Sequence, residues 1–205
     1  MKGNTEVRNH FAKNDPVLYA YMETITFDDW LAEHQMKRKG FYFEALCRAI
    51  VGQQLSGKAA DSIYKRFKAL FKGKVTPANI LKTPEQDLRD VGMSWAKVRS
   101  VKNLAELVHR KELILEELDA LENSGVIERL IKVKGIGEWT AEMFLMFTLG
   151  REDVFSFKDL GLKKGIEKVY KLKKPSEAKI RKIIAKWGPY KTYGSITLWH
   201  SLEIS

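Results

Sequence analysis

Apolar residues along this chain recur mostly three and four positions apart, the spacing that gathers side chains on one face of an α-helix. Phe43, Leu46, Cys47, Ile50 and Val51 form one such stripe, and Ala60, Ile63, Tyr64, Phe67, Leu70 and Phe71 form the next, which predicts two helices meeting at Gln53 to Gly57. Val98, Val101, Leu104, Ala105 and Val108 predict another from Trp95 to Val108. Ahead of it, after Thr76-Pro77, Thr83-Pro84-Glu85-Gln86 reads as a cap with proline at the first helical position, opening a helix to about Val91. Thr140 to Thr148 is so evenly apolar that it predicts a central buried helix ending at Gly150. Asp153 to Phe157 alternates and predicts a short extended segment, too brief to establish a sheet. Helices are predicted again from Asp159 to about Tyr170, from Pro175-Ser176 to near Trp187, and from Tyr190 through Trp199. The pattern is that of an all-α protein, least legible over the first forty residues.

With 205 residues, 44% hydrophobic and 30% charged, the chain can bury a real core as one domain or two closely packed lobes. The formal net charge of +10 favours an anionic partner, and it is unevenly spread. Residues 163 to 191 carry eleven Lys or Arg against Glu167 and Glu177, whereas residues 106 to 128 carry seven acids against Arg110 and Lys111. Such separation predicts one side facing phosphates and one turned away. A membrane surface is the competing anion, but no apolar run approaches the length of a span and the first residues lack the apolar segment of a secretory signal, so a cytoplasmic protein is expected, nucleoid-associated if the source is prokaryotic. The one cysteine, Cys47, falls on an apolar stripe and reads as core filler, which excludes a cysteine-ligated cluster. His10, His34, His109 and His200 show no metal-ligand spacing.

The candidate chemistry lies in Leu130-Ile131-Lys132-Val133-Lys134-Gly135-Ile136-Gly137-Glu138-Trp139-Thr140-Ala141, a turn between helices. Gly135 and Gly137 can take backbone angles closed to other residues and present free N–H groups where the next helix starts, a place suited to a phosphate. Downstream, Asp159 stands at a predicted helix start, where exposed N–H groups favour a carboxylate; read as chemistry rather than as a simple cap, it would stabilise positive charge. That suits cleavage of an N-glycosidic bond, in which charge builds on the deoxyribose as the base departs and a water held by the same carboxylate adds to the sugar. An enzyme acting on a base in duplex DNA must turn the nucleotide out into a pocket lined by stacking groups, for which Trp139 and Trp199 are candidates; either reads equally well as core. The paired amides Gln53-Gln54 at a helix junction beside Arg48 and Lys58 suit filling a vacated stack, or ordinary loop solvation.

In their order, Gly52-Gln53-Gln54-Leu55-Ser56, Val91-Gly92-Met93-Ser94-Trp95-Ala96-Lys97, the glycine hairpin, and Asp153-Val154-Phe155 through Lys158-Asp159 resemble the helix-hairpin-helix DNA glycosylase superfamily, and within it the alkylpurine branch, the 3-methyladenine DNA glycosylase II group, over roughly residues 40 to 200. The resemblance implies an all-α, two-lobed fold with DNA in an interlobe cleft, residues 1 to 205 forming a single glycosylase unit with its hairpin at about 130 to 141. It implies that Asp159 is the catalytic aspartate; that Gly135, Gly137 and Lys134 hold a phosphate; and that Gln54, with Leu55, is the intercalating wedge. It further implies a base pocket of Trp139, Trp199, Met143 and Leu160, the last two standing where the bacterial member has tyrosines, while Lys158 replaces the first of its paired aspartates. No cofactor is required, although the carbonyls of Ile131, Val133 and Ile136 are placed to bind Na+ or K+. Members that also cut the backbone have a lysine at the position of Trp139; without that amine no Schiff base forms there, so a monofunctional enzyme without lyase activity is implied. A base alkylated at a ring nitrogen is cationic, leaves readily and is attracted to aromatic faces. The expected partner is damaged double-stranded DNA, met by a monomer with no membrane association. The alternatives are a helix-hairpin-helix DNA-binding protein without catalysis, and a glycosylase for another damaged or mismatched base.

Overall fold

The structure is a computed structural model that describes residues 4–28 and 41–204. Its regular elements are all helical, with no strand among the described residues. The described residues divide into two compact units, one formed by residues 4–28 with 145–204 and the other by residues 41–144. No helix among the described residues is long and apolar enough to cross a membrane.

The middle unit holds α3 (Tyr42–Gly52), α4 (Gly57–Leu70), α5 (Pro77–Lys82), α6 (Glu85–Asp90), α7 (Trp95–His109), a 3-10 turn (Leu115–Ala120), α8 (Asn123–Leu130) and the start of α9 (Glu138–Phe147). Leu46, Cys47, Ile50 and Val51 are fully buried, so the apolar stripe of α3 does become core. Burial, with the nearby Glu44 carboxylate, pushes the Cys47 thiol far up from its ordinary value. Glu44 is itself buried and accepts hydrogen bonds from Tyr64 Oη at 2.9 Å and Lys68 Nζ at 2.8 Å. Thr76 caps α5, its Oγ1 accepting Asn79 N–H, with Pro77 at the first turn. The expected Thr83-Pro84 cap is corrected by this arrangement: Thr83 closes α5, its Oγ1 donating to Asn79 O at 2.8 Å, and Pro84 itself occupies the cap position of α6. The physical reason is that residues 77–82 complete a short helix of their own, which leaves Thr83 at an end rather than a beginning.

The other unit contains α1 (Asn4–Asn14), α2 (Pro16–Met22), the end of α9, α10 (Leu160–Val169), α11 (Glu177–Ile184), a 3-10 turn (Ala185–Trp187) and α12 (Lys191–Glu203). Its core gathers Phe11, Leu18, Met22, Leu162, Trp187 and Tyr193. Asp153 to Phe157 forms no strand; Val154, Phe155 and Ser156 are buried in irregular chain, with Val154 N–H donating to Thr192 Oγ1 at 3.2 Å, so local side chains replace a ladder. Two glycines set the helix spacing. A Cβ on Gly165 would stand 2.8 Å from Leu198 Cβ and 2.9 Å from Leu198 O, and one on Gly194 would stand 2.5 Å from the Trp187 ring. α10 and α12 therefore pack almost backbone to backbone.

Asp15 ties the first helices to this core. Its carboxylate is buried, caps α2 by accepting Leu18 N–H at 3.2 Å, and accepts from Tyr170 Oη at 2.6 Å and Trp187 Nε1 at 2.8 Å. Asp15→Ala would strand the Tyr170 and Trp187 donors and remove the cap. Urea unfolding of this variant is expected to show a loss of about 3 kcal/mol or more with an unchanged m-value. The Tyr170 phenol is pushed up from its ordinary value of 10.0, first by burial and then by its bond to Asp15. A raised folded-state value makes that contribution complete below pH 10.0 and diminishing as pH rises beyond it. Tyr170→Phe should accordingly flatten the alkaline fall of the melting temperature.

Candidate nucleic-acid interface and carboxylate site

In the middle unit, α8 ends at Leu130 and the chain turns through Ile131–Gly137 before α9. Gly135 has φ +84°, and a Cβ there would stand 2.3 Å from Ser100 Oγ and 3.0 Å from Ser100 Cβ, so conformation and space both demand glycine. Gly137 does not share that conformation and has open space where a Cβ would project, which corrects the expectation that both glycines use angles closed to other residues. Its carbonyl accepts Ala141 N–H at 3.0 Å, so it serves as the cap of α9. Among the described residues the amides of Gly135 and Gly137 have no acceptor, and both residues are exposed. The Lys134 amide is occupied, donating to Asn103 Oδ1 at 2.8 Å, which leaves Lys134 its exposed side chain for an anion. Val133 and Ile136 anchor the turn by burial, the Val133 carbonyl accepting Ile136 N–H at 3.0 Å, while Ile131 is half-exposed.

The loop after α3 lies against this hairpin. Gln53 Nε2 donates to Gly135 O at 2.8 Å and to Thr140 Oγ1 at 3.3 Å. Gln54, at φ +57°, turns the chain in the left-handed region, and Gln54 and Leu55 are both exposed. Lys97 Nζ donates to Val51 O at 2.8 Å near the end of α3, and burial lowers its pKa from the ordinary value. Trp139, 41% exposed, and the half-buried Met143 stand four residues apart on α9 and so share one face.

In the other unit, Asp159 caps α10. The residue is 8% exposed, and its Oδ1 accepts Leu162 N–H at 2.7 Å and Trp199 Nε1–H at 3.1 Å. Trp199 is half-buried, with its ring 5.9 Å from that of Phe147. A Cβ on Gly161 would stand 3.0 Å from Asp159 Oδ1 and 3.0 Å from Trp199 Nε1, so this glycine keeps open the space in which indole and carboxylate meet. Leu160, next to the carboxylate, is 71% exposed. The carboxylate thus has an oxygen directed by two N–H donors at the positive end of a helix, an arrangement that fixes negative charge in position. Among the described residues no three His, Cys, Asp or Glu side chains gather as metal ligands, and His34 lies outside them.

A model of the HhH-GPD superfamily of base excision DNA repair proteins matches residues 47–190. The chain belongs to this superfamily. The match takes in the Gln53–Gln54 loop, the hairpin and Asp159, and stops short of Trp199. The chain is 35% identical over 171 residues to DNA-3-methyladenine glycosylase 1 of Schizosaccharomyces pombe, which covers 80% of this chain and 73% of that protein. Its fold is similar to that of the S. pombe 3-methyladenine DNA glycosylase in complex with abasic DNA, with a TM-score of 0.82 at 31% identity over 98% of each chain. It is also similar to a DNA-3-methyladenine glycosidase from Bacillus halodurans, with a TM-score of 0.78 at 35% identity over 95% of this chain and 87% of that one.

Of the residues singled out from the sequence, the structure brings Gly135, Gly137 and Lys134 together in one turn and places Asp159 against Trp199, a pairing the sequence did not predict. Three contributors were not expected. Gln53 points to the hairpin rather than sharing the exposure of Gln54, Ser100 underlies Gly135, and Gly161 makes room for Trp199. Gly161 and Gly165, four apart just after a helix cap, were a legible signal of close helix packing; the other two depend on contacts between distant segments. Gly135→Ala combines a left-handed backbone with a collision at Ser100. Thermal or urea unfolding should show it less stable by about 1–3 kcal/mol, whereas Gly137→Ala should fall within about 0.5 kcal/mol of wild type.

Proposed function

We propose that the protein is a monofunctional DNA glycosylase that hydrolyses the N-glycosidic bond of alkylated purines, 3-methyladenine foremost, in duplex DNA. The observation that carries this reading is the buried Asp159 carboxylate, capped by Leu162 N–H and aimed by Trp199 Nε1–H, in a chain of the HhH-GPD superfamily. The names of its relatives in S. pombe and B. halodurans support alkylated adenine as the substrate.

The exposed amides of Gly135 and Gly137, with the Lys134 side chain, hold a backbone phosphate, and Gln54 with Leu55 enters the stack from which the nucleotide is turned out. The extruded base is cationic and is attracted to aromatic faces, for which Trp199 stands beside the Asp159 carboxylate and Trp139 is exposed on α9. As the C1′–N bond breaks, its electron pair leaves with the base and positive charge develops on the sugar, where the fixed charge of Asp159 stabilises it. A water then adds to C1′ and yields its proton to the carboxylate, leaving an abasic strand. Trp139 supplies no amine for a Schiff base, so the strand remains uncut.

We extend the proposal to a Na+ or K+ ion at the carbonyls of Ile131, Val133 and Ile136. Neutral oxygen donors suit such an ion, and Val133 O retains a lone pair beyond its bond from Ile136 N–H. The ion would supply positive charge beside the phosphate.

Incubation with methylated duplex DNA should release 3-methyladenine and leave strands that break only on later alkali treatment. Spontaneous strand cleavage, or no base release, would refute the reading. Asp159→Asn keeps an oxygen for Leu162 N–H and should retain folding and DNA affinity, while base release falls by about 100-fold or more. Trp199→Phe keeps an aromatic ring but loses the bond to Asp159, and single-turnover rates should fall by about 3- to 10-fold.

A further inference from the structure

Two adjacent glutamines in the loop after α3 have different surroundings, and the difference assigns a task to the one that does not face outward. Gln54 and Leu55 are exposed at the tip, beyond the left-handed turn at Gln54. Gln53 is half-buried and spends its amide nitrogen on two partners, Gly135 O at 2.8 Å and Thr140 Oγ1 at 3.3 Å. A main-chain carbonyl only accepts, so the NH2 end of this side chain must face Gly135, and the orientation is fixed by chemistry.

The two partners lie on either side of the hairpin's apex. Gly135 is held by its own φ and by Ser100 beneath it, and Thr140 is buried in the first turn of α9. One side chain thus fastens the base of the 54–55 tip to both the turn and the helix that follows it. We infer that Gln53 is a positioning residue that couples the wedge to the phosphate grip, fixing where Gln54 enters the stack relative to the phosphate held at Gly135 and Gly137. The inference rests on the glycosylase reading above and deepens it. Gripping the strand and filling the gap become a single rigid action, so the wedge need not be ordered separately after the phosphate is bound.

The test is a double-mutant cycle on the full chain. Wild type, Gln53→Met, Gln54→Ala and the double variant are compared for affinity to undamaged duplex and to the same duplex carrying a tetrahydrofuran abasic analogue. Methionine keeps the length of Gln53 without a donor. The expected result is that Gln53→Met melts like wild type, binds undamaged duplex within about 2-fold and loses about 5- to 10-fold toward the abasic duplex. In the Gln54→Ala background the same change should cost less than about 2-fold, because the coupled element is already gone. Gln53→Glu, which turns an acceptor toward Gly135 O, should lose at least as much as Gln53→Met. Equal losses on both DNAs or in both backgrounds would make Gln53 a purely structural residue and overturn the inference, as would no loss at all. A wild-type protein with no preference for the abasic duplex would overturn the glycosylase reading together with it.

Discussion

α10 and α12 approach so closely at Gly165 that Leu198 occupies the volume where a side chain would begin. One turn earlier, Gly161 leaves the corresponding space to Trp199, whose indole N–H reaches the Asp159 carboxylate. The rest of this unit's candidate chemistry depends on that approach. With a methyl group at Gly165 the helices would have to separate or tilt, and with one at Gly161 the indole and the carboxylate would have to give way to it. The carboxylate would still cap its helix through Leu162 N–H, because that bond is local, but the indole donor would be displaced. Helix capping and site geometry are therefore distinct achievements of the same side chain: the first belongs to the residues immediately following Asp159, the second to a helix some forty positions away.

The hairpin of the middle unit solves a comparable problem with backbone rather than side-chain groups. Its turn must leave amides facing outward without leaving buried polar groups unmatched. Val133 and Ile136 hold it inward, Asn103 takes the amide that is not presented, and Ser100 fits under the one glycine whose conformation is obligatory. The result is a surface of few, fixed donors. Such a surface gains charge-assisted hydrogen bonds without first ordering a flexible loop, which is where rigid turns outperform lysine side chains in holding a phosphate.

Much of this is legible in the sequence itself. The stripe on α3, the helix starts at Asp159 and Ser176, and the glycine turn are local patterns, and local patterns are what a linear sequence records directly. The short helix Pro77–Lys82 was hidden because its single apolar face is too brief to establish a period, and its loss shifted the reading of Thr83. Asp153 to Phe157 alternates in composition yet has no neighbouring strand to pair with among the described residues, so its alternation records burial of single side chains instead. The separate fates of Gln53 and Gln54 were unreadable for another reason: identical neighbours differ only through a partner more than eighty positions away.

Cys47 gives the molecule a chemical property of its own. The chain has no other cysteine, and this one is fully enclosed on α3, where burial keeps the sulfur protonated. Methylating agents and oxidants attack thiolates, and they do so where they can reach them. Electrophiles and oxidants in solution thus meet no accessible sulfhydryl on the folded chain, and modification of Cys47 must await an opening of the core around it.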